Sequence, residues 1–326
     1  MAEQTNDTTA DMRRRVNVLF LGGAKRVSFG NKLISAGERL GLDVKIYSYE
    51  LEPEVPISLI GGVIIGRRWS APDILDHLRQ VIGAYHIDIM LPFVDGAISI
   101  AGAYVGTYGD VWSPVVNPGK AETLFDKVLS AREFEAAGLS IPPTYTGGRP
   151  VFPLIAKPRH GSASKGIEII EGINEFRRIS KTAGEYLIQT YYPHREEYTV
   201  DCYVTRRGEI LCISPRRRLE VVGGEVSRTV TIDSFEIVKA STEAIDRLGL
   251  RGAVTLQYLR DLESGRLMLM EINPRLGGGV VCSIHAGADI PAMILTEAVG
   301  LPPEKSTHIK SGTMICRYFE EAVFNV

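Results

Sequence analysis

Two short runs near the end of the 326-residue chain carry oxygen-bearing side chains at a spacing suited to a hard cation. Val254-Thr255-Leu256-Gln257-Tyr258-Leu259-Arg260 and Leu267-Met268-Leu269-Met270-Glu271-Ile272-Asn273 flank Glu263-Ser264-Gly265. A three-residue loop ending in glycine suits a hairpin turn that needs a left-handed residue there. Pairing Leu262 with Arg266 sets Gln257 directly opposite Glu271, with Cβ atoms about 5 Å apart. Asn273 leaves the same face as Glu271 by the strand period of two. Gln257, Glu271 and Asn273 then form the partial oxygen shell that Mg2+, or Mn2+ in its place, completes with substrate phosphates and water. Arg275 follows as a cation for phosphate oxygens. Val254, Leu256, Tyr258, Met270 and Ile272 make up the opposite, core-facing set. An amphipathic edge hairpin with a solvated polar face has the same pattern.

A second candidate is the apolar run Leu154-Ile155-Ala156, which ends in Lys157-Pro158 and leads into Gly161-Ser162-Ala163-Ser164-Lys165-Gly166. Glycines and small residues let backbone amides approach phosphate oxygens, and a lysine adds a point charge. An ordinary hairpin turn with an exposed Lys165 reads equally well. The P-loop pattern is excluded, because Ile167 stands where its lysine is required and the loop precedes a strand rather than a helix. Gly22-Gly23-Ala24-Lys25-Arg26 lacks dinucleotide-fingerprint spacing and suits a tight strand-to-helix turn whose amides face a cleft.

The elements that must position these groups fall into two textures. Apolar runs at 16–21, 43–49, 63–65 and 87–93 alternate with helical patterns at 28–40 and 74–85, which predicts a parallel sheet with helices on both faces. This unit spans 16–115 and follows a polar, disordered lead-in at 1–15. A helix is expected over 121–137. Short strands then dominate, at 154–157, 166–170, 186–189, 198–204, 210–214, 254–260 and 267–272, with helices at 174–183 and 234–248. The fold class is α/β plus α+β, with antiparallel sheets in the second part.

Composition bounds the partners. Hydrophobic residues are 44% and charged residues 23%, and the net charge of −2 gives no bulk basicity for nucleic acid. No apolar run approaches the roughly 20 residues of a membrane helix, and the polar start carries no secretory signal pattern. Cys202, Cys212, Cys282 and Cys316 form no C-x-x-C pair, and the six histidines do not cluster. Buried free thiols in a cytoplasmic protein are expected, and a zinc site is disfavoured.

Taken in order, these pieces resemble the ATP-grasp superfamily, most closely a single ATP-grasp unit of the carbamoyl-phosphate synthase large subunit. Asp126-Lys127 with Gly138-Leu139-Ser140-Ile141-Pro142-Pro143-Thr144 looks like the helix lysine and the "GIPxPxT" segment. Ala156-Lys157-Pro158 and the loop at 161–166 look like the second lysine strand and the phosphate loop. Gln189-Thr190-Tyr191-Tyr192, followed by Glu196-Glu197, looks like the adenine hinge and ribose segment. Gln257 with Glu271-Ile272-Asn273-Pro274-Arg275 is the most specific piece, and Pro215-Arg216-Arg217-Arg218-Leu219-Glu220 resembles a "PRKRLE" stretch.

The resemblance implies a Rossmann-like first domain and an ATP-grasp domain over 116–326, with a small lobe at 140–190 and a C-terminal lobe at 191–326. ATP would lie between two antiparallel sheets. Lys127 and Lys157 would contact its phosphates, and Gly161, Ser162, Ser164, Lys165 and Gly166 would close over them. Gln189, Thr190, Tyr191 and Tyr192 would hold adenine and Glu197 the ribose. Gln257, Glu271 and Asn273 would hold two Mg2+ ions, while Arg275 would steady the transferred phosphoryl group. The implied reaction activates a small-molecule carboxylate as an acyl phosphate for attack by an amine. Arg216 and Arg218 suit an anionic substrate, since arginine forks match carboxylate and phosphate oxygens, although a solvated charged loop has the same composition. A homo-oligomer is compatible with this reading. The hinge departs from the family's acidic pattern at Thr190, which keeps open an alternative in which the chain binds nucleotide without turnover, as a sensor or partner subunit.

Overall fold

The computed structural model describes residues 13–161 and 165–325. Strand β1 (Arg14–Leu21) starts two residues ahead of the expected position, and residues 1–12 lie outside those described. It is followed by α1 (Val27–Arg39), β2 (Leu42–Glu50), β3 (Gly62–Ile65), α2 (Ile74–Tyr85), β4 (Ile89–Pro92) and α3 (Asp95–Thr107). The sheet is parallel, in the order β3-β2-β1-β4. Alternate residues of β1 enter two cores: Val18 and Phe20 pack with Phe29 and Leu33 of α1, while Leu19 and Leu21 pack with Leu78 of α2 and Ala101 of α3. Burial on both faces is why this strand is apolar throughout.

Chain direction around the sheet reverses at β1, which lies between β2 and β4. In such sheets the crevice beyond the C-terminal ends at this point is where ligands bind. Here the crevice is bordered by the turn at 22–26 and by Phe93, Val94 and Asp95. The Glu50 carboxylate accepts hydrogen bonds from the backbone of Gly23 and Ala24, which pins the first of these loops.

The helix expected over 121–137 is two helices, α4 (Pro118–Phe125) and α5 (Lys127–Ala136). Asp126 breaks it: its backbone is extended, and its carboxylate accepts the N–H groups of Val128 and Leu129, each at 3.0 Å. A cap of this type satisfies orphan donors at a helix start, and it places Lys127 on the first turn of α5.

Strands β5 (Leu154–Pro158) and β6 (Glu168–Ile170), helix α6 (Ile173–Ile179) and strand β7 (Tyr186–Thr190) follow. They form a three-stranded antiparallel sheet, β6-β5-β7. The remainder comprises β8 (Arg195–Val204), β9 (Ile210–Val222), β10 (Glu225–Thr231), α7 (Phe235–Leu248), β11 (Gly252–Asp261), β12 (Leu267–Asn273), α8 (Val280–His285), α9 (Ile290–Val299) and β13 (Met314–Cys316). Its strands make a second antiparallel sheet, β12-β11-β8-β9-β10-β13. The basic run at 215–220 is therefore strand, not loop. Of the cysteines, three are buried and free, but Cys316 is exposed.

One core unites the two parts. Ile290, Met293 and Ile294 of α9, with Tyr203, Leu211 and Ala253, share a cluster with β1 and α1. A second contact fixes the same junction at Gly252, where the backbone has φ +78° and a Cβ would meet the Pro114 carbonyl oxygen at 2.2 Å. Since only glycine adopts that conformation without strain, Gly252→Ala should cost roughly 2–3 kcal/mol in urea unfolding; a change under about 0.5 kcal/mol would contradict this packing.

Candidate active site

The hairpin of β11 and β12 pairs Gln257 with Glu271 and Thr255 with Asn273, as expected. Nearer the turn, however, Arg260 pairs with Leu267 and Tyr258 with Leu269, so the register there is one residue off the expected one. A bulge at Met270 makes up the difference. An extra residue flips the side chains that follow it, and the consequence is specific. Met270, expected in the core, lines the cleft beside Glu271, and Leu269 takes the buried position. Nothing in the local sequence distinguishes Met270 from Leu269 as the residue to bulge.

Glu271 and Asn273 face the two lysines across the cleft. Lys157, at the end of β5, donates to Gln189 Oε1 at 3.0 Å, and Gln189 Nε2 donates to the Pro142 carbonyl at 3.0 Å. Gln189 is only 2% exposed, so its side chain is a prop for Lys157 rather than part of a hinge surface. Burial lowers the Lys157 ammonium to about 8, against the opposing pull of Glu271. Lys127 Nζ donates to the Gly161 carbonyl at 2.6 Å, and Arg159 ties Asp126 at 2.6 Å. Both ends of the loop, Gly161 (φ +118°) and Gly166 (φ +72°), hold backbone conformations that favour glycine. Gly161 and Lys165 line the cleft; Ser162 and Ser164 lie outside the described residues.

Thr190, Tyr191 and Tyr192 line the far end of the cleft. The N–H groups of Thr190 and Tyr191 are taken by the carbonyls of Pro143 and Pro153, at 3.0 and 3.1 Å. Arg195, which the sequence did not single out, orders this end. Its guanidinium lies 5.1 Å from the Tyr191 ring centre, and it donates to the Tyr192 carbonyl at 2.8 Å and to Glu197 at 2.9 Å. The other Glu197 oxygen is 3.8 Å from Arg218 Nε. Arg218 Nη1 in turn donates to Gln257 Oε1 at 2.8 Å. Gln257 thus stands beside Glu271, but its oxygen is turned to an arginine. Arg218 Nε is buried and has no hydrogen-bond acceptor among the described residues. An unsatisfied buried donor of this kind calls for an acceptor from outside the chain.

Arg216 lines the cleft, with a partner that the sequence did not indicate. It is 2% exposed and gives both Nε and Nη2 to Asp201, at 2.8 and 3.4 Å; Asp201 itself is 0% exposed and also accepts from Ser283 Oγ at 2.7 Å. Arg216 thus stands at the cleft with its charge paired, and it also backs the glycine turn at 277–279. A Cβ on Gly279 would come within 2.7 Å of Arg216 Nη1. Arg275 lines the cleft and donates to Asp95 at 3.1 Å, joining β12 to the first residue of α3.

These groups border one cleft of about 540 Å³ between the two antiparallel sheets, closed on its third side by Arg26, Phe93 and Asp95. That volume falls among small-molecule sites. A smaller cavity of about 260 Å³ adjoins it past Lys127, Glu271 and Asn273 and reaches Asp95 and Ser99. Among the described residues no three His, Cys, Asp or Glu side chains group as metal ligands; the expected set Gln257, Glu271 and Asn273 is one carboxylate and two side-chain amides.

Two antiparallel sheets enclosing such a cleft, after a parallel-sheet unit, are the ATP-grasp fold. Residues 183–321 match a family model described as ATP-grasp in the biosynthetic pathway with Ter operon. Among solved structures, the L-amino acid ligase from Bacillus licheniformis aligns over 92% of this chain and 78% of its own, with TM-score 0.69 and 17% identity. Biotin carboxylase from Campylobacter jejuni, in a complex with β,γ-ATP, aligns over 91% and 74%, with TM-score 0.73 and 15% identity. The N-terminal section of the carbamoyl phosphate synthase large chain from Methanopyrus kandleri is 23% identical over 166 residues, covering 46% of this chain and 29% of that protein. The chain spans about a quarter of the length of the curated relatives it matches. The resemblance read from the sequence, and its two-part fold class, are both borne out.

The buried ion pair supplies a test of how the glycine turn is held. Asp201→Ala leaves the Arg216 charge buried without a partner, which should cost about 3–5 kcal/mol. Chemical denaturation reads this directly, and a loss below about 1 kcal/mol would show Arg216 to be solvated.

Proposed function

We propose that the chain is a magnesium-dependent ATP-grasp ligase that activates a small-molecule carboxylate as an acyl phosphate for attack by an amine. The observation that carries this reading is the convergence of Lys127, Lys157, Glu271 and Asn273 on one cleft between two antiparallel sheets. Adenine would stack between the Tyr191–Tyr192 segment and Met270, and ribose would meet Glu197. The lysines would neutralise phosphate charge, with the loop at 161–166 over them. Glu271 and Asn273 are hard oxygen donors of the kind Mg2+ or Mn2+ accepts; Gln257, already holding Arg218, would align that arginine instead. The ion supplies charge neutralisation at the phosphates.

In this reading a substrate carboxylate oxygen attacks the γ-phosphorus, and the bond to the ADP oxygen breaks. An amine then adds to the acyl carbon, phosphate leaves with the former carboxylate oxygen, and the nitrogen gives up a proton to water. The chain's own part is positioning and electrostatics. Arg275, oriented by Asp95, would hold the moving phosphoryl group, and Arg218 Nε would find its missing acceptor in the ligand.

Glu271→Ala should lower Mg2+-dependent ADP release at least 100-fold in a screen of pooled amino acids and small carboxylates, with an unchanged circular dichroism spectrum. A wild-type rate would refute the metal assignment. Nucleotide binding without any ADP release by the wild-type protein would favour the sensor reading.

Lys157 gives a pH signature. Its ammonium sits near 8 in the free protein, and bound phosphates favour the charged form. Binding of MgADP at pH 8.5 should therefore take up about 0.7 proton, and affinity should fall as pH rises past 8. Calorimetry in buffers of different ionisation enthalpy measures the uptake. It should vanish in Lys157→Met; equal uptake in that variant would remove Lys157 from the phosphate site.

A further inference from the structure

Beside Arg275 and Asp95, three further charged side chains, Arg26, Arg317 and Glu225, have no part in the nucleotide reading. Arg26, from the turn after β1, lies with its guanidinium 5.1 Å from the Phe93 ring centre. Among the described residues it has no hydrogen-bond acceptor, although it lines the cleft. Its charge is partly buried, and burial together with Arg275 and Arg317 lowers its guanidinium to about 10 against the pull of Glu225. Arg317, just past β13, donates to Glu225 at 2.6 Å and to the Val226 carbonyl at 3.2 Å.

The three side chains meet around Gly278. A Cβ there would stand 3.4 Å from Arg317 Nη1, 3.4 Å from Glu225 Oε2 and 3.6 Å from Arg26 Nη1. The absence of a side chain at 278, which lines the cleft, thus leaves a small space walled by two guanidinium groups and the Glu225 carboxylate. The charges at this end are the cations Arg26, Arg275 and Arg317 against the anions Asp95 and Glu225. Asp95 is engaged by Arg275 and Glu225 by Arg317, and the remaining positive charge is that of Arg26.

The wall is built to stay in place. Glu50 fixes the backbone at Gly23 and Ala24, and the Arg26 N–H closes a turn on the Gly23 carbonyl at 2.7 Å. Gly23 has no room for a side chain, since a Cβ would lie 2.6 Å from Phe20 Cβ. Arg317 is tied by its own N–H to the Ser227 carbonyl at 2.8 Å. A half-buried guanidinium on a fixed turn, facing the cleft without an acceptor among the described residues, suits the capture of an oxyanion.

We propose that Arg26 and Arg317 form a specificity site for a carboxylate that the substrate keeps, distinct from the carboxylate being activated. The substrate class is then a dicarboxylic acid or an acidic amino acid, held at one end by Arg26 and presented at the other to the phosphates. One unbalanced positive charge favours a monoanionic carboxylate over a doubly charged phosphate. The proposal rests on the ATP-grasp reading for the identity of the reacting end, but the arginine site itself does not require nucleotide.

Calorimetric titrations test it with succinate, glutarate and L-glutamate, each against its singly charged or amide counterpart: butyrate, valerate and L-glutamine. They are run on the full chain with and without MgADP. The expected result is at least a tenfold preference for one or more of the doubly acidic members. That preference should collapse to under threefold in Arg26→Gln and in Arg317→Gln, with thermal melting unchanged from wild type. Equal affinity within every pair overturns the proposal, as does no binding by any acid or an undiminished preference in both variants. Failure of MgADP to bind, with the acid preference and its loss intact, would instead overturn the nucleotide reading and leave the arginine site standing.

Discussion

The pairing of Gln257 with Glu271 is the constraint from which the rest of the site follows. It joins β11, next to the middle of the six-stranded sheet, to the edge strand β12. A slip of β12 by one residue would send Glu271 and Asn273 into the core and bring Ile272 into the cleft. The bulge at Met270 therefore does more than bend the strand. It lets a hydrophobic side chain and a carboxylate stand next to each other on the same side, an arrangement that regular alternation forbids. Consecutive residues thereby put an apolar side chain and a carboxylate on the cleft wall.

Around that pairing the cleft is organised by fixing cations before any ligand arrives. Lys157 is propped by Gln189, Lys127 by the Gly161 carbonyl, Arg275 by Asp95 and Arg218 by Gln257. Long cationic side chains lose much rotamer entropy when a ligand orders them. Neutral carbonyls and amides do the ordering for three of the four, and for the two lysines these hydrogen bonds position the cation without cancelling its charge. The buried Arg216–Asp201 pair works in the other sense. Its charge is cancelled, and it serves as a beam under the glycine turn. Shared packing of α9 against β1 and α1 then sets the switch-point loops of the parallel sheet against this wall of charges.

Much of this was legible in the sequence because the signals were periodic or chemical. β1 and the hairpin strands declared themselves by apolar runs, and Glu271, Asn273, Lys127, Lys157 and Arg275 by residue type within an ordered series of motifs. What stayed hidden has physical reasons. Helix α3 is mostly Gly, Ala and Ile, with buried residues at 97, 98, 101, 102 and 104, so it shows no polar stripe; α9 is almost wholly apolar. Asp126 reads as one more helical residue until its capping bonds are seen. The strand character of Arg216 and Arg218 was masked by charge, which usually marks a solvated loop. Arg216 stands at the cleft wall, but its partner Asp201 lies fifteen residues away on a neighbouring strand, so only tertiary structure reveals that its charge is paired. Arg26 was passed over beside the two glycines that drew attention to its turn.

The central claim is that a divalent cation and a nucleotide meet at Glu271 and Asn273. Diffraction from crystals grown with Mn2+ and ADP tests it most directly, using the anomalous signal of the metal. A peak about 2.2 Å from a Glu271 carboxylate oxygen and from Asn273 Oδ1, with the diphosphate reaching Lys157, is the predicted result. Density for ADP elsewhere, or a metal peak with neither side chain in its shell, would contradict the account.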